Sequence, residues 1–288
     1  MIHHWQRFVR FTAVLVLPLL FLLATQTTSA QTKSFYWERF DVEMTLLANG
    51  DIRVVETQTL NFSGAPFTFG FGTIPTGEFG GNDDIVDVSV REGDQIYTEV
   101  AGGRTPGTFT VDNEGNDVVI EWYFEPALGS RTYTFSYTVK GGVQVGSGGE
   151  DGDQIFWKAL PSDRGARVEE SAVTIRLPEG VTPQRYFDSG NYLVTAYING
   201  DETDAIDIRV SDDGRIIFYT LNQPLPAYDL LEVRVQFPHE ALDIPTPEWQ
   251  QRVQRGDVIS LTLLVLALLT LVGGPLLVLA LWYVRGRD

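Results

Sequence analysis

The longest uncharged stretch of the chain runs from Val258 to Val284 and is almost entirely apolar. A bilayer core of about 30 Å needs about 20 helical residues, so this run is long enough to cross a membrane. Arg285 and Arg287 follow it directly, and positive charge of this kind is typical of the cytoplasmic side. We therefore predict a transmembrane helix over this run, with residues 285–288 as a cytoplasmic end.

A second apolar run, Phe11 to Ala24, lies near the start of the chain behind a short basic segment. It is shorter than a membrane span requires, and the small residues at 28–30 offer a cleavage site. We predict a signal peptide over residues 1–30, and an uncleaved signal anchor is the alternative. The two runs together predict a single-pass protein of the cell membrane whose intervening residues lie outside the cytoplasm.

The charge of the intervening region limits its partners. Residues 31–257 carry 37 acidic and 17 basic residues, a net charge of −20. Such a surface repels nucleic acid, so we expect no nucleic-acid partner. The chain has no cysteine, which excludes a disulfide framework and favours a bacterial over a eukaryotic ectodomain.

The pattern between the two apolar runs is that of short strands. Val42, Met44 and Leu46 alternate with polar residues, and the turn-forming pair Asn49-Gly50 follows them, which indicates a β-hairpin. No stretch of this region has a helical period, so we predict an all-β fold of the sandwich type. Further strands are predicted over Ile85–Val90, Val118–Phe124, Thr132–Val139, Ile155–Leu160, Val168–Leu177, Leu193–Ile198, Ile206–Val210, Ile216–Leu221 and Leu230–Phe237.

A glycine-rich segment at 141–152 divides the strand region into two parts. We predict two closely packed β-sandwich lobes, over residues 31–145 and 146–240, and one continuous sandwich is the alternative. Residues 241–257 contain two prolines and are predicted to form a short juxtamembrane stalk.

The residues that most hydrolases use are scarce in this region. His239, beside Pro238 and with no flanking nucleophile motif, is its one histidine, so a hydrolytic triad is hard to build. One histidine without cysteine also excludes a conventional zinc site. Paired carboxylates, as glycosidases use them, stay open as an alternative. The acidic candidates beside predicted strands and tryptophans are Glu38, Asp41, Glu43, Glu56 and Glu121.

Three acidic loops would supply oxygen ligands of the kind that calcium prefers, although turn chemistry also explains them. They are Asp83-Asp84, residues 112–117 and residues 150–153. Gly70-Phe71-Gly72 lacks the Lys-Ser/Thr of a phosphate-binding loop. We therefore predict no catalytic, cofactor-binding or metal residue, and calcium is the one cofactor that the loops leave open.

The order of several short motifs resembles a known family. The motifs are Phe40-Asp41-Val42, Asn49-Gly50-Asp51, Phe62-Ser63-Gly64, Ile74-Pro75, residues 85–90, Ile120-Glu121-Trp122-Tyr123, Thr134-Phe135-Ser136-Tyr137, residues 153–157 and Leu177-Pro178. In this order, over nearly the whole chain, they resemble the DUF2207 family of predicted bacterial membrane proteins. The resemblance implies an extracytoplasmic β-rich domain followed by a membrane helix.

Family members usually continue into a cytoplasmic region, whereas this sequence stops at Asp288, so we expect it to be a fragment. The family has no established activity, and the resemblance therefore implies no site residues. The leading hypothesis is a non-enzymatic, membrane-anchored β-domain that binds or scaffolds a protein or an envelope polymer. The alternatives are a carboxylate-dependent carbohydrate-active enzyme and the sensor half of a longer membrane protein.

Overall fold

The structure is a computed structural model that describes residues 32–146, 152–187, 189–239 and 241–286. The signal peptide predicted over residues 1–30 lies outside the described residues, as do the last two residues of the chain. The described part is an all-β fold in two sheets that is followed by one long helix, which confirms the predicted fold class.

The strands are β1 Ser34–Leu46, β2 Ile52–Pro75, β3 Asp84–Glu92, β4 Gln95–Ile96, β5 Thr98–Glu99, β6 Thr108–Glu114, β7 Asp117–Lys140, β8 Val143–Gln144, β9 Gly152–Leu160, β10 Val168–Glu170, β11 Ala172–Arg176, β12 Val194–Ile198, β13 Asp201–Glu202, β14 Ile206–Val210, β15 Ile216–Leu221 and β16 Leu231–Pro238. The helices are α1 Gly77–Gly80, a single turn, and α2 Glu248–Arg285.

The large sheet has the order β14-β15-β11-β1-β2-β7-β3-β4, with β10 beside β1 and the pair β5-β6 beside β7. The small sheet has the order β13-β12-β16-β9-β8. Most pairs are antiparallel, whereas β1 runs parallel to both β10 and β11. The alternation of buried and partly exposed residues in β1 and β2 confirms the period-2 pattern that the sequence predicts.

The first hairpin forms where the sequence predicts it. Gly50 has a φ of 83°, a left-handed conformation that glycine adopts at little cost, and the Asn49 side chain hydrogen-bonds Asp51 across the turn. The register then pairs Leu46 with Ile52 and continues to Ser34 and Ser63.

The two longest strands, β2 and β7, fold back on themselves. Trp122 and Phe135 both belong to β7, and in a straight strand they would lie roughly 40 Å apart. Their ring centroids are 4.7 Å apart. The bend falls at Gly129, whose φ is 74°, and opposite it the register between β2 and β7 shifts on either side of Phe67. The large sheet therefore packs against itself, and a sequence prediction of separate strands over 118–124 and 132–139 misses that β7 is continuous.

One hydrophobic cluster joins the folded large sheet to the small sheet. It contains residues of the large sheet such as Val42 and Ile217 and residues of the small sheet such as Val233 and Phe237. The Tyr219 hydroxyl also donates to the Arg234 carbonyl oxygen at 2.8 Å, which connects β15 to β16.

The lobe boundary predicted at residue 145 lies between β8 and β9. Strands β10, β11, β14 and β15 come from the C-terminal side of that boundary, yet all four belong to the large sheet with β1 and β2. Strand pairing thus crosses the boundary, and the division into two lobes stays a prediction.

Helix α2 contains the whole apolar run and begins before it, within the predicted stalk. By length and composition it is the one helix among the described residues that could cross a membrane. Its first turn contacts the β-domain: the carboxylate of Asp83 accepts from the backbone N–H groups of Glu248 and Trp249, at 3.1 and 2.6 Å. The indole of Trp249 donates to the Gly141 carbonyl oxygen at 3.0 Å, and Gln250 hydrogen-bonds both backbone groups of Val145.

Candidate functional site

A cavity of about 340 Å³ lies between the two halves of the folded large sheet. We call it the cleft. The first half of β2 and the second half of β7 form one wall, the second half of β2 and the first half of β7 form the opposite wall, and the segment 161–165 after β9 closes one side. The first wall contains Glu56, Gln58, Leu60, Phe135 and Tyr137. The opposite wall contains Gly70, Gly72, Ile74, Ile120 and Trp122. The closing segment contributes Pro161, Asp163, Arg164 and Gly165.

Two glycines on the inner face of β2 shape the cleft in different ways. Gly70 pairs with Trp122 and Gly72 pairs with Ile120, so both glycines face the buried side. A Cβ on Gly70 would lie 2.3 Å from Cζ2 of Trp122, so the indole packs directly on the backbone there. A Cβ on Gly72 would meet nothing within 4 Å. The empty volume of the cleft therefore begins where Gly72 has no side chain.

A chain of hydrogen bonds crosses the floor of the cleft. Trp37 Nε1 donates to Gln58 Oε1 at 3.0 Å, and Gln58 Nε2 donates to Glu56 Oε2 at 2.7 Å. The Tyr137 hydroxyl donates to Glu56 Oε1 at 2.6 Å. Both oxygens of Glu56 are thus occupied by neighbouring side chains.

Burial is the main cause of the pKa shifts in this chain of hydrogen bonds. It raises the pKa of Glu56, against the hydrogen bonds from Tyr137 and Gln58, which act in the opposite direction. It also raises the pKa of Tyr137 well above its ordinary value, and the neighbouring Glu56 adds to that effect. The cleft therefore favours neutral groups over charged ones.

The Trp122 indole lies in the wall of the cleft and is 4% exposed. Its Nε1 has no hydrogen-bond partner within the described residues. A buried donor without a partner costs roughly 1–3 kcal/mol, so the wall holds one unused polar group.

The closing segment is fixed by Arg164, which is 4% exposed. Its guanidinium donates to the carbonyl oxygens of Pro161 at 2.9 Å and of Ala166 at 3.3 Å, and also to that of Asp229. Burial lowers the pKa of Arg164 to about 10. Asp163, beside it, also lines the cleft; the residue is exposed overall, but partial desolvation of its carboxyl group raises its pKa.

One edge of the cleft is the free edge of β2. Every residue from Phe69 to Ile74 lines the cavity, although the side chains of successive residues in a strand point to opposite faces. The cavity thus borders the backbone itself. In its first half β2 pairs with both β1 and β7, whereas after Ser63 it pairs, among the described residues, with β7 alone.

The structure separates the acidic residues that the sequence brought forward. Glu56 lines the cleft, whereas the others lie on the outer side of the large sheet. Hydrogen bonds from Asn61 and Ser130 lower the pKa of Glu38. The remaining three have partners of their own: Asp41 with Arg39, Glu43 with Arg176, and Glu121 with the hydroxyl of Tyr123.

The acidic loops have structural contacts. Asp83 accepts from the first amides of α2, and residues 112–117 comprise the end of β6, the turn and the start of β7. Asp153 accepts from Gly146 N–H and contacts His239 Nδ1 at 2.8 Å. Residues 147–151 lie outside the described part. No group of three or more potential metal ligands occurs among the residues that the structure describes.

Sequence reasoning did not find the cleft. Its one usable signal was Gly70-Phe71-Gly72, which breaks an otherwise apolar strand, and glycine inside a strand often marks close approach of another group. The contribution of Arg164 had no sequence signal, because its partners are backbone carbonyls.

These features define a class: an all-β domain with one internal cleft, joined directly to one helix that could cross a membrane. Residues 36–237 match the family described as predicted membrane protein (DUF2207), N-terminal domain. The chain belongs to this family, as the order of its motifs predicted. No curated protein matches the chain.

Several solved structures are similar in fold. Native leukotriene A4 hydrolase from Saccharomyces cerevisiae is 11% identical with a TM-score of 0.43, and the match covers 74% of this chain and 31% of that one. An M1 zinc metallopeptidase from Deinococcus radiodurans is 11% identical with a TM-score of 0.39, over 73% of this chain and 44% of that one. This chain thus spans less than half of either protein.

Proposed function

We propose that this protein is a membrane-anchored binding domain, located outside the cytoplasm, whose cleft receives an apolar group of a protein or an envelope polymer. The observation that carries the proposal is the open space at Gly72, inside a wall of aromatic and aliphatic side chains. Ligand sites are typically concave and mostly apolar, with a few polar groups that orient the ligand.

The polar groups of the cleft favour a neutral ligand. Glu56 has a raised pKa, Gln58 is occupied on both of its amide atoms, and the one unused buried donor is the indole N–H of Trp122. A charged ligand would lose its hydration, and the buried cation of the lining, Arg164, already donates to three carbonyl oxygens.

Binding fits this arrangement better than catalysis does. A glycosidase needs one carboxylate free to attack or to activate water. Both oxygens of Glu56 accept hydrogen bonds within the protein, and Asp163, the other carboxylate that lines the cleft, belongs to a residue that is exposed overall. We therefore favour a non-enzymatic role over a carbohydrate-active enzyme.

The test is equilibrium binding of 1-naphthalenemethanol, a neutral aromatic probe, to the full chain in nanodiscs. Saturation-transfer NMR reports the binding, and empty nanodiscs give the background. We expect Gly72→Leu to weaken binding about tenfold or more, because the added side chain fills the cleft. Thr57→Leu, on the outer face of the same strand, should leave binding unchanged. Equal binding to all three proteins would refute the proposal.

Orientation has its own test, because the chain has no cysteine. Thr105 is exposed in the loop between β5 and β6, so Thr105→Cys introduces a single reporter thiol. A membrane-impermeant maleimide should label it in intact cells. Labelling only after the membrane is permeabilised would place the domain in the cytoplasm.

A sensor role is the second candidate, and the junction with α2 favours it. The first turn of the helix is hydrogen-bonded to the β-domain through the side chains of Asp83, Trp249 and Gln250. The helix and the β-domain therefore move together. If the junction transmits occupancy of the cleft, the naphthalene probe should slow hydrogen exchange in residues 248–252 of the full chain. Unchanged exchange at saturating probe would leave the junction as an anchor only.

A further inference from the structure

Among the described residues, the edge of β2 between Phe67 and Ile74 has no strand beside it, and it differs from other edges in the two sheets. Edge strands usually avoid aggregation by being short, bulged or charged. Strands β4, β8 and β13 have two residues each, and the outer edge of β3 carries Asp84 and Asp87, with a bulge beside Asp87. The segment from Phe67 to Ile74 has no charged residue and is bounded by Pro66 and Pro75.

We propose that the ligand of the cleft is an extended polypeptide that pairs as an added strand with this edge and places one apolar side chain in the cleft. The inference rests on the proposed binding function and names its partner class. Strand addition of this kind satisfies main-chain groups at a sheet edge and uses pockets for alternate side chains.

The backbone edge is what selects a peptide over a lipid or a glycan. A strand rises about 3.3 Å per residue, so the unpaired N–H and C=O groups along its edge recur at a fixed spacing. Only another polypeptide backbone presents donors and acceptors with that repeat, so an acyl chain would cover the edge and leave these groups unpaired.

The side chains on the two faces fit an incoming strand. On the inner face, Gly72 leaves room beside it, and a neighbouring strand's side chain commonly covers a glycine. On the outer face, Phe69 and Phe71 are 49% and 64% exposed and would pair with the alternate residues of the added strand. The incoming segment is therefore apolar at successive positions near the cleft.

Charge adds one further requirement. The region from residue 31 to residue 257 has a net charge of −20, which favours basic residues on either side of the apolar segment. Such flanks would also keep the segment soluble before it binds.

The experiment uses heptapeptides of the form acetyl-Lys-Thr-Xaa-Phe-Xaa-Thr-Lys-amide, where Xaa is Val, Ile, Thr or Tyr. Fluorescence anisotropy gives their affinity for the full chain in nanodiscs. Hydrogen exchange then locates the contact, and we expect slower exchange for amides in residues 67–74. Gly72→Leu should weaken binding, and Thr57→Leu should not.

Backbone N-methylation of the heptapeptides tests strand addition directly. N–H groups of successive residues point to opposite edges of a strand, so methylating both Xaa amides blocks one edge and methylating Phe and both Thr amides blocks the other. We expect one set to weaken binding about tenfold or more, and the other set to have little effect. Equal effects from both sets would overturn strand addition.

Failure of the peptides and failure of the cleft are distinguishable. If no heptapeptide binds while 1-naphthalenemethanol does, the peptide proposal is wrong and the apolar binding role stands. If neither binds, the proposed function itself is wrong.

Discussion

Replacing Gly70 by alanine tests whether the wall of the cleft is built as described. The added Cβ would lie 2.3 Å from Cζ2, 2.6 Å from Cε2 and 2.8 Å from Cη2 of Trp122. Carbon atoms pack at about 3.5–4.0 Å, so the indole or the strand must move by roughly 1 Å.

The indole has little room to move. It is 4% exposed, and its centroid lies 4.7 Å from the Phe135 ring and 5.8 Å from the Tyr133 ring. Overpacking of a dense core costs about 1–3 kcal/mol. We expect the upper part of this range, about 3 kcal/mol, because three atoms of a rigid ring are involved rather than the end of a flexible chain.

Gly72→Ala is the matched control on the same face of the same strand. Its Cβ would meet nothing within 4 Å, and its φ lies outside the range that only glycine tolerates. Alanine restricts the unfolded chain more than glycine does, so we expect stabilisation of about 0.4–1 kcal/mol.

Hydrogen exchange of the full chain in nanodiscs measures both variants at the site. A loss of 3 kcal/mol corresponds to about 100-fold faster exchange through local opening. This should appear in residues 120–124 for Gly70→Ala, whereas Gly72→Ala should exchange at the wild-type rate or slower. If the two variants behave alike, Trp122 does not pack on Gly70 and the description of the wall is incorrect.

Three further predictions concern polar groups. Burial raises the pKa of Glu56 above its ordinary 4.5, so the stability that its neutral form provides is full below about pH 4.5 and is lost as the pH rises through the raised pKa. Glu56→Gln should not lose this stability. In urea unfolding at pH 4.5, 6 and 8, the free energy of unfolding of the variant should therefore rise relative to that of the wild type as the pH increases. A difference that is independent of pH would contradict the raised pKa. Arg164→Met leaves three carbonyl acceptors without their donor and should cost about 3 kcal/mol by the same assay, whereas Arg167→Met, at an exposed pair, should cost less than about 1 kcal/mol. Asp83→Ala removes the acceptor for the first amides of α2 and should cost about 1–2 kcal/mol locally, seen as about 5- to 30-fold faster exchange at Glu248 and Trp249. Asp94→Ala, in an exposed turn, is its control, and an equal effect there would refute the capping role.

The sequence predicted individual strands well because their cause is local. Alternation in Val42 to Leu46 and the turn at Asn49-Gly50 need no knowledge of distant residues, and β14 and β15 lie at the predicted positions. The predicted strand over 168–177 is interrupted at Ser171, so that two short strands, β10 and β11, pair with different parts of β1. The sequence does contain a local sign of this interruption, because Ser171 is polar at a position where the alternation of Val173, Ile175 and Leu177 requires an apolar residue.

The cleft could not be predicted, because it depends on contacts between distant parts of the chain. The approach of Trp122 to Phe135 requires the bend of β7, and the bend follows from Gly129 together with shifted pairing opposite it. Glu56 was one of five acidic candidates. Alternation places it on the face of Ile52 and Val54, unlike Glu43, but only the fold of β2 and β7 makes that face the floor of a cleft.

Junction residues show the same limit. Trp249 has the position of an aromatic residue at a membrane interface, and the sequence alone supports that interpretation. In the structure it is 7% exposed and donates to the Gly141 carbonyl oxygen, so it packs against the β-domain instead. Its partner lies more than a hundred residues earlier in the chain, which no local pattern indicates.

The most direct test of the binding cleft is to map where a small apolar carbene reacts with the full chain. 3-Phenyl-3-trifluoromethyldiazirine is photolysed with the protein in nanodiscs, and mass spectrometry locates the labelled residues. We predict labelling in residues 56–60 and 120–124 that disappears in Gly72→Leu and persists in Thr57→Leu, beside lipid-derived labelling of α2 in all three. Labelling confined to α2, or cleft labelling that Gly72→Leu leaves unchanged, would contradict a cleft that receives an apolar ligand.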